Sequence, residues 1–131
     1  MTEKKLLSKH EFPVRWVDLD AYNHLNNARY YDFMTEARCV DLFQFRDECG
    51  FVVAENSCKY KIPLVYPETL IIEHYVQNIS LTSFELIYIF RAVNSGQIAA
   101  EGFAKMFCLD FVKKRPIKIP EKVKTYLNSA N

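Results

Sequence analysis

Between Asp18 and Asn27 the chain crowds two carboxylates (Asp18, Asp20), an imidazole (His24) and three amides (Asn23, Asn26, Asn27) into one short stretch. Carboxylates attack carbonyl carbons or activate water, and an imidazole carries protons near neutral pH. Immediately after, Tyr30, Phe33, Met34, Ala37, Val40 and Phe43 recur at helical spacing. The polar stretch is therefore a turn that feeds a helix, with Asn26 or Asn27 as N-cap. Unpaired backbone N–H groups and the helix dipole favour negative charge at such a start. A carboxylate beside a place that can hold an oxyanion is the chemistry of a hydrolytic site.

These residues also carry a family resemblance. The stretch resembles the D-x-D…G-H-x-N-N-x-x-Y signature of the hotdog-fold acyl-CoA thioesterases, the 4-hydroxybenzoyl-CoA thioesterase-like family. Asp18, Asp20, His24, Asn26, Asn27 and Tyr30 stand at the matching positions. Asn23 departs from the pattern at the usual glycine. Asn tolerates the left-handed conformation best after Gly, so the turn is expected to survive. Further similarity runs through Tyr66-Pro67, Ser83-Phe84, Ala100-Glu101-Gly102, Asp110, Arg115-Pro116 and Ile119-Pro120, although only the first motif is specific.

The resemblance implies one hotdog domain over residues 1–131, an α+β fold whose antiparallel sheet wraps one long central helix. It implies hydrolysis of an acyl-CoA thioester to a carboxylic acid and free coenzyme A, without cofactor or metal. Asp20 would be the nucleophile or general base, with the backbone N–H of Asn27 or its neighbour as oxyanion donor. The alternative for Asp20 is a turn carboxylate capping nearby N–H groups. His24 is either a further catalytic group or a structural hydrogen-bonder. Asn26, Tyr30 and Ser83 are candidates for substrate contact; a cap, a packed ring and a plain strand serine are the alternatives. Lys113, Lys114 and Arg115 can hold coenzyme A phosphates or simply end a strand in solvent. Glu36 is a reserve base whose plainer role is a salt bridge to Arg29 or Arg38. Asp18 is expected to pair with Arg15 or face solvent. A metal site is not expected, because His10, His24 and His74 lack ligand spacing.

Composition narrows the function classes. The 131 residues, half of them hydrophobic and 15% aromatic, suit one packed domain and exclude disorder. A formal net charge of +1 leaves no basic footprint for nucleic acid. Met1-Thr-Glu-Lys-Lys leads into no apolar run, so neither leader nor membrane span is expected and the location is read as cytoplasmic. Cys39, Cys49, Cys58 and Cys108 are scattered and read as free thiols.

The elements that must position the turn follow from periodicity. Strands are expected at Leu6 to Val17, Phe51 to Ile62, Leu70 to Ile79, Ser83 to Val93 and Ile98 to Phe111. The helix spans about Asn27 to Phe45 with Gly50 as the turn behind it, and Glu121 to Leu127 adds a short helix. Asn94-Ser95-Gly96 reads as a hairpin turn. One sheet with one helix leaves an edge and an apolar flank, so a homodimer or a dimer of dimers is expected. The competing class is a non-catalytic module binding acyl-CoA or an acyl-carrier protein.

Overall fold

A computed structural model describes residues 3–130; Met1 and Thr2, which open the stretch read for a leader, and Asn131 lie outside it. The strands are β1 (Lys5–Pro13), β2 (Gly50–Tyr60), β3 (Thr69–Gln77), β4 (Ser83–Ala92), β5 (Ile98–Asp110) and β6 (Arg115–Pro116). The helices are α1 (Asn27–Leu42) and α2 (Glu121–Asn128). Every strand pairing is antiparallel, in the order β1-β3-β4-β5-β2, with β6 on β5. Among the described residues, no helix is long and apolar enough to cross a membrane.

The sheet's inner face follows from the alternation of side chains along strands. Leu70, Ile72, His74 and Val76 of β3 and Phe84, Leu86, Tyr88 and Phe90 of β4 all point inward and are buried. The matching row on β5 is mostly small: Ala100, Gly102, Ala104, Met106 and Cys108. That row lets α1 approach closely, because a Cβ on Gly102 would overlap Met34 Sδ and touch the Tyr88 side chain. Helix α2 seals one end with Val123 and Leu127, and its Tyr126 ring lies 5.3 Å from Phe45.

Four local expectations change. Strand β1 stops at Pro13, and Trp16–Asp18 forms a short 3-10 turn instead of continuing to Val17. The strand lies on the sheet edge, where a residue without an N–H is tolerated. Gly50 begins β2 and is not the turn behind the helix; its bare Cα makes room for the Phe111 ring. The inward stripe of α1 drifts after Ala37, so Val40 and Phe43 are exposed while Asp41 and Leu42 are buried. Finally, Arg29 pairs with Asp32 and Asp18, and Arg38 donates to Tyr88 and Thr35, so neither is the partner expected for Glu36.

Candidate active site

The turn before α1 is built by its own polar groups. Asn23 adopts φ 62°, the left-handed conformation that its place in the sequence requires. Asp20 Oδ1 accepts the backbone N–H groups of Tyr22 at 2.8 Å and His24 at 3.2 Å, while Asp20 N donates to the His24 carbonyl. Asp20 Oδ2 takes no hydrogen bond among the described residues. Asn26 is the N-cap: its side chain accepts from Ala28 N at 3.0 Å, and its carbonyl accepts from Arg29 N. With Asn26 N donated to the Asp18 carbonyl, Asn27 N–H is left without an acceptor among the described residues.

Asp18 faces the opposite way and is buried. Its carboxylate accepts Arg15 N at 2.9 Å and Arg15 Nη2 at 2.9 Å, and Arg29 Nε of α1 lies 3.5 Å away. Burial pushes this carboxyl up, but hydrogen bonds and charge from Arg15, with Arg29 behind, hold it below the ordinary carboxylate range. Of the two expectations for Asp18, pairing with Arg15 holds and solvent exposure does not. The residue ties the turn to the first turn of the helix.

Asp20, His24, Asn27 and Tyr30 line one cavity of about 260 Å³, together with Leu25, Tyr60, Lys61, Ile62 and Pro63. Tyr60 OH donates to the Asn27 carbonyl at 3.2 Å, and its ring meets Tyr30 edge-on at 5.2 Å. Burial raises the Tyr60 phenol to about 12 and the Tyr30 phenol higher still, so both stay protonated. Lys61 pairs with Glu101 at 3.1 Å.

The other candidates lie elsewhere. The Asn26 side chain is engaged as a cap. Ser83 is buried and shares a 2.7 Å hydrogen bond with Ser80. Lys113, Lys114 and Arg115 sit in and beside the exposed β5–β6 turn. The ladder pairs Tyr60 with Ala100 and Gly50 with Leu109, so that turn stands at the opposite end of β5 from the cavity. At about 3.3 Å per residue, the separation along the strands is roughly 30 Å. Glu36 is exposed and borders a different groove, with Asp18 and Arg29.

Nothing in the sequence set Tyr60 at the helix start. Its reach to the helix start depends on the register of β2, which alternation does not fix. The missed residue of greater consequence is Asp41, which receives His74, His10 and Ser8 far from this turn.

The sequence model of the thioesterase-like superfamily matches residues 14–127. The long-chain acyl-CoA thioesterase FadM of Escherichia coli K12 is 28% identical over 124 residues, covering 89% of this chain and 94% of FadM. The PA2801 protein of Pseudomonas aeruginosa superposes with a TM-score of 0.85 at 26% identity, covering 92% of this chain and 98% of that one. A DHNA-CoA thioesterase from Staphylococcus aureus shares the fold alone, with a TM-score of 0.81 at 17% identity over 93% of this chain and 87% of its own.

Proposed function

The chain belongs to the thioesterase-like superfamily, with the hotdog fold, and is a thioester hydrolase; from that premise we propose that it hydrolyses acyl-CoA thioesters at the cavity before α1, with Asp20 as nucleophile or general base. One observation carries the reading. Asp20 Oδ2 and Asn27 N–H are both unclaimed among the described residues, and both residues line the same cavity. A thioester carbonyl between them would meet the carboxylate, or a water it deprotonates, at carbon and the amide at oxygen. On the water route the tetrahedral oxyanion collapses with loss of the thiolate, which takes the proton that Asp20 removed from water and leaves as coenzyme A; on the direct route it collapses to a mixed anhydride on Asp20, which water then hydrolyses to the acid. His24, with its backbone N–H and carbonyl both bonded to Asp20, shapes the turn. The chemistry calls on no cofactor. FadM's long-chain acyl-CoA substrates support the same thioester class here.

The reading extends to a homodimer. Strand β2 ends the sheet order and carries an exposed run, beside the exposed Phe43 and Phe111. A second copy paired antiparallel along β2 would set the Tyr60 end of one strand against the Gly50 end of the other. Lys113, Lys114 and Arg115 of that copy would then approach the cavity they cannot reach within their own chain. An apolar cavity of about 340 Å³, lined by Cys39, Leu42, Phe51, Met106 and Phe111 among others, lies at the same end and would take the acyl chain. A cytoplasmic location belongs to this reading, supported by four free cysteines.

The test is thiol release from short, medium, long and aromatic acyl-CoAs and from an acyl-pantetheine, with sedimentation of the same protein. Turnover of at least one acyl-CoA by a dimer or larger assembly is expected. Binding of acyl-CoA without thiol release would replace hydrolysis by a binding module. Turnover restricted to the pantetheine ester would move the substrate to an acyl-carrier protein, and an active monomer would remove the partner from the site.

A further inference from the structure

The register of β1 on β3 places Ser8 opposite His74 and His10 opposite Ile72, so Ser8, His10 and His74 share the inner face. From the other side α1 brings Asp41, the one carboxylate of the helix that is buried. The contacts converge on that carboxylate. His10 Nε2 lies 3.0 Å from Asp41 Oδ1, Ser8 Oγ donates to Oδ2 at 2.6 Å, and His74 Nδ1 is hydrogen-bonded to Oδ2. We infer that His10 Nε2, His74 Nδ1 and the Asp41 carboxylate bind one divalent transition-metal ion of the zinc class, with Ser8 Oγ or a water in the fourth position.

Three observations lead there. The three donor atoms lie within 4.8 Å of one another. Two ligands at about 2.1 Å from a single ion sit at most about 4.2 Å apart, so closing the set takes a sub-ångström side-chain shift. Two imidazoles and one carboxylate suit zinc-like ions and disfavour magnesium or calcium, which take oxygen donors. The second observation is charge: among the described residues, no Lys or Arg pairs with the buried Asp41. Arg38, one turn earlier on α1, is spent on Tyr88 OH and Thr35 Oγ1 instead.

The third is His74 itself. Its ring is fully buried, stacks on Tyr88 at 4.6 Å, and leaves Nε2 with no partner among the described residues. With the proton on Nε2, Nδ1 turns its lone pair toward the Asp41 carboxylate, and a cation between the two satisfies both. The enclosure also defines the ion's role. Asp41 is 5% exposed and His74 not at all, so the ion reaches no substrate and clamps α1 to the β1 edge. His10, at 13% side-chain exposure, is the way in. This inference stands apart from the hydrolytic reading, since none of these residues lines the Asp20 cavity.

The test is titration of chelator-treated, folded protein with Co(II), followed by its visible d–d bands, and with Zn(II), followed by thermal melting. The expected result is one Co(II) per chain, displaced by Zn(II), and a melting temperature raised by at least about 4 °C at a hundredfold excess over Kd. His10→Gln, at the rim, should stay folded and bind at least tenfold more weakly; Asp41→Asn should abolish the bands. Absence of bands and of any melting shift in folded parent protein would overturn the site. Unchanged binding in both His10→Gln and Asp41→Asn would do so equally, leaving a hydrogen-bonded carboxylate and nothing more.

Discussion

The Tyr60 hydroxyl donates to the main-chain carbonyl of Asn27, joining the last residue of β2 to the first residue of α1. The bond fixes where the helix begins relative to the sheet edge, and so where the Asn27 amide points. Tyr60→Phe keeps the ring packing on Tyr30 and removes only this tie. The kcat is expected to fall about two- to tenfold with KM nearly unchanged, the size of one net hydrogen bond. Steady-state kinetics on a saturating acyl-CoA checks this; a change confined to KM would make Tyr60 a substrate contact.

Asp18 gives a pH dependence of stability. Its folded pKa is depressed, because Arg15 and Arg29 outweigh burial. The stabilisation is therefore present above the unfolded value of about 3.9 and is lost as pH falls below it toward the folded value. Asp18→Asn should cost about 1–3 kcal/mol at pH 7. The unfolding free energies of parent and variant in urea should converge as pH falls below about 3.9. A constant difference over the whole range would mean that Asp18 carries no proton-linked stability.

Two glycines should respond differently to the same added methyl. Gly102→Ala forces Met34 and Tyr88, both in the core, to move, and a cost of about 1–3 kcal/mol is expected. The nearest atoms that Gly50→Ala meets belong to the exposed Phe111 ring, which can swing aside, so its cost should be under about 1 kcal/mol. Chemical denaturation of the two variants side by side measures the difference.

Much of this arrangement was legible in local chemistry. Asn23 at a left-handed position, Asn26 as a cap and Gly96 at φ 74° in the β4–β5 hairpin are demands of single backbone sites, which sequence reports directly. The five long strands fell within a few residues of their periodic patterns, except where Trp16–Asp18 left the extended path. Asp41 was hidden because a hydrophobic stripe assigns a buried place to Val40 and passes over a carboxylate. His10 and His74 were dismissed for their spacing along the chain, yet neighbouring strands bring them onto one face. Which residues of β1 lie opposite those of β3 is a matter of register, and no local signal in either strand sets it. The same holds for Lys113 to Arg115, whose distance from Asp20 follows from which end of β5 faces the cavity.

The central claim rests on Asp20, and its most direct test is kcat for Asp20→Asn on the best acyl-CoA, measured on protein whose melting temperature and sedimentation match the parent. Asn at this position can still accept the Tyr22 and His24 amides through its carbonyl oxygen, so the turn is kept while the carboxylate is lost. A loss of about 10²-fold or more in kcat is expected, the contribution of a nucleophile or general base. Turnover within a few-fold of the parent would contradict the account and leave Asp20 as a cap of its own turn.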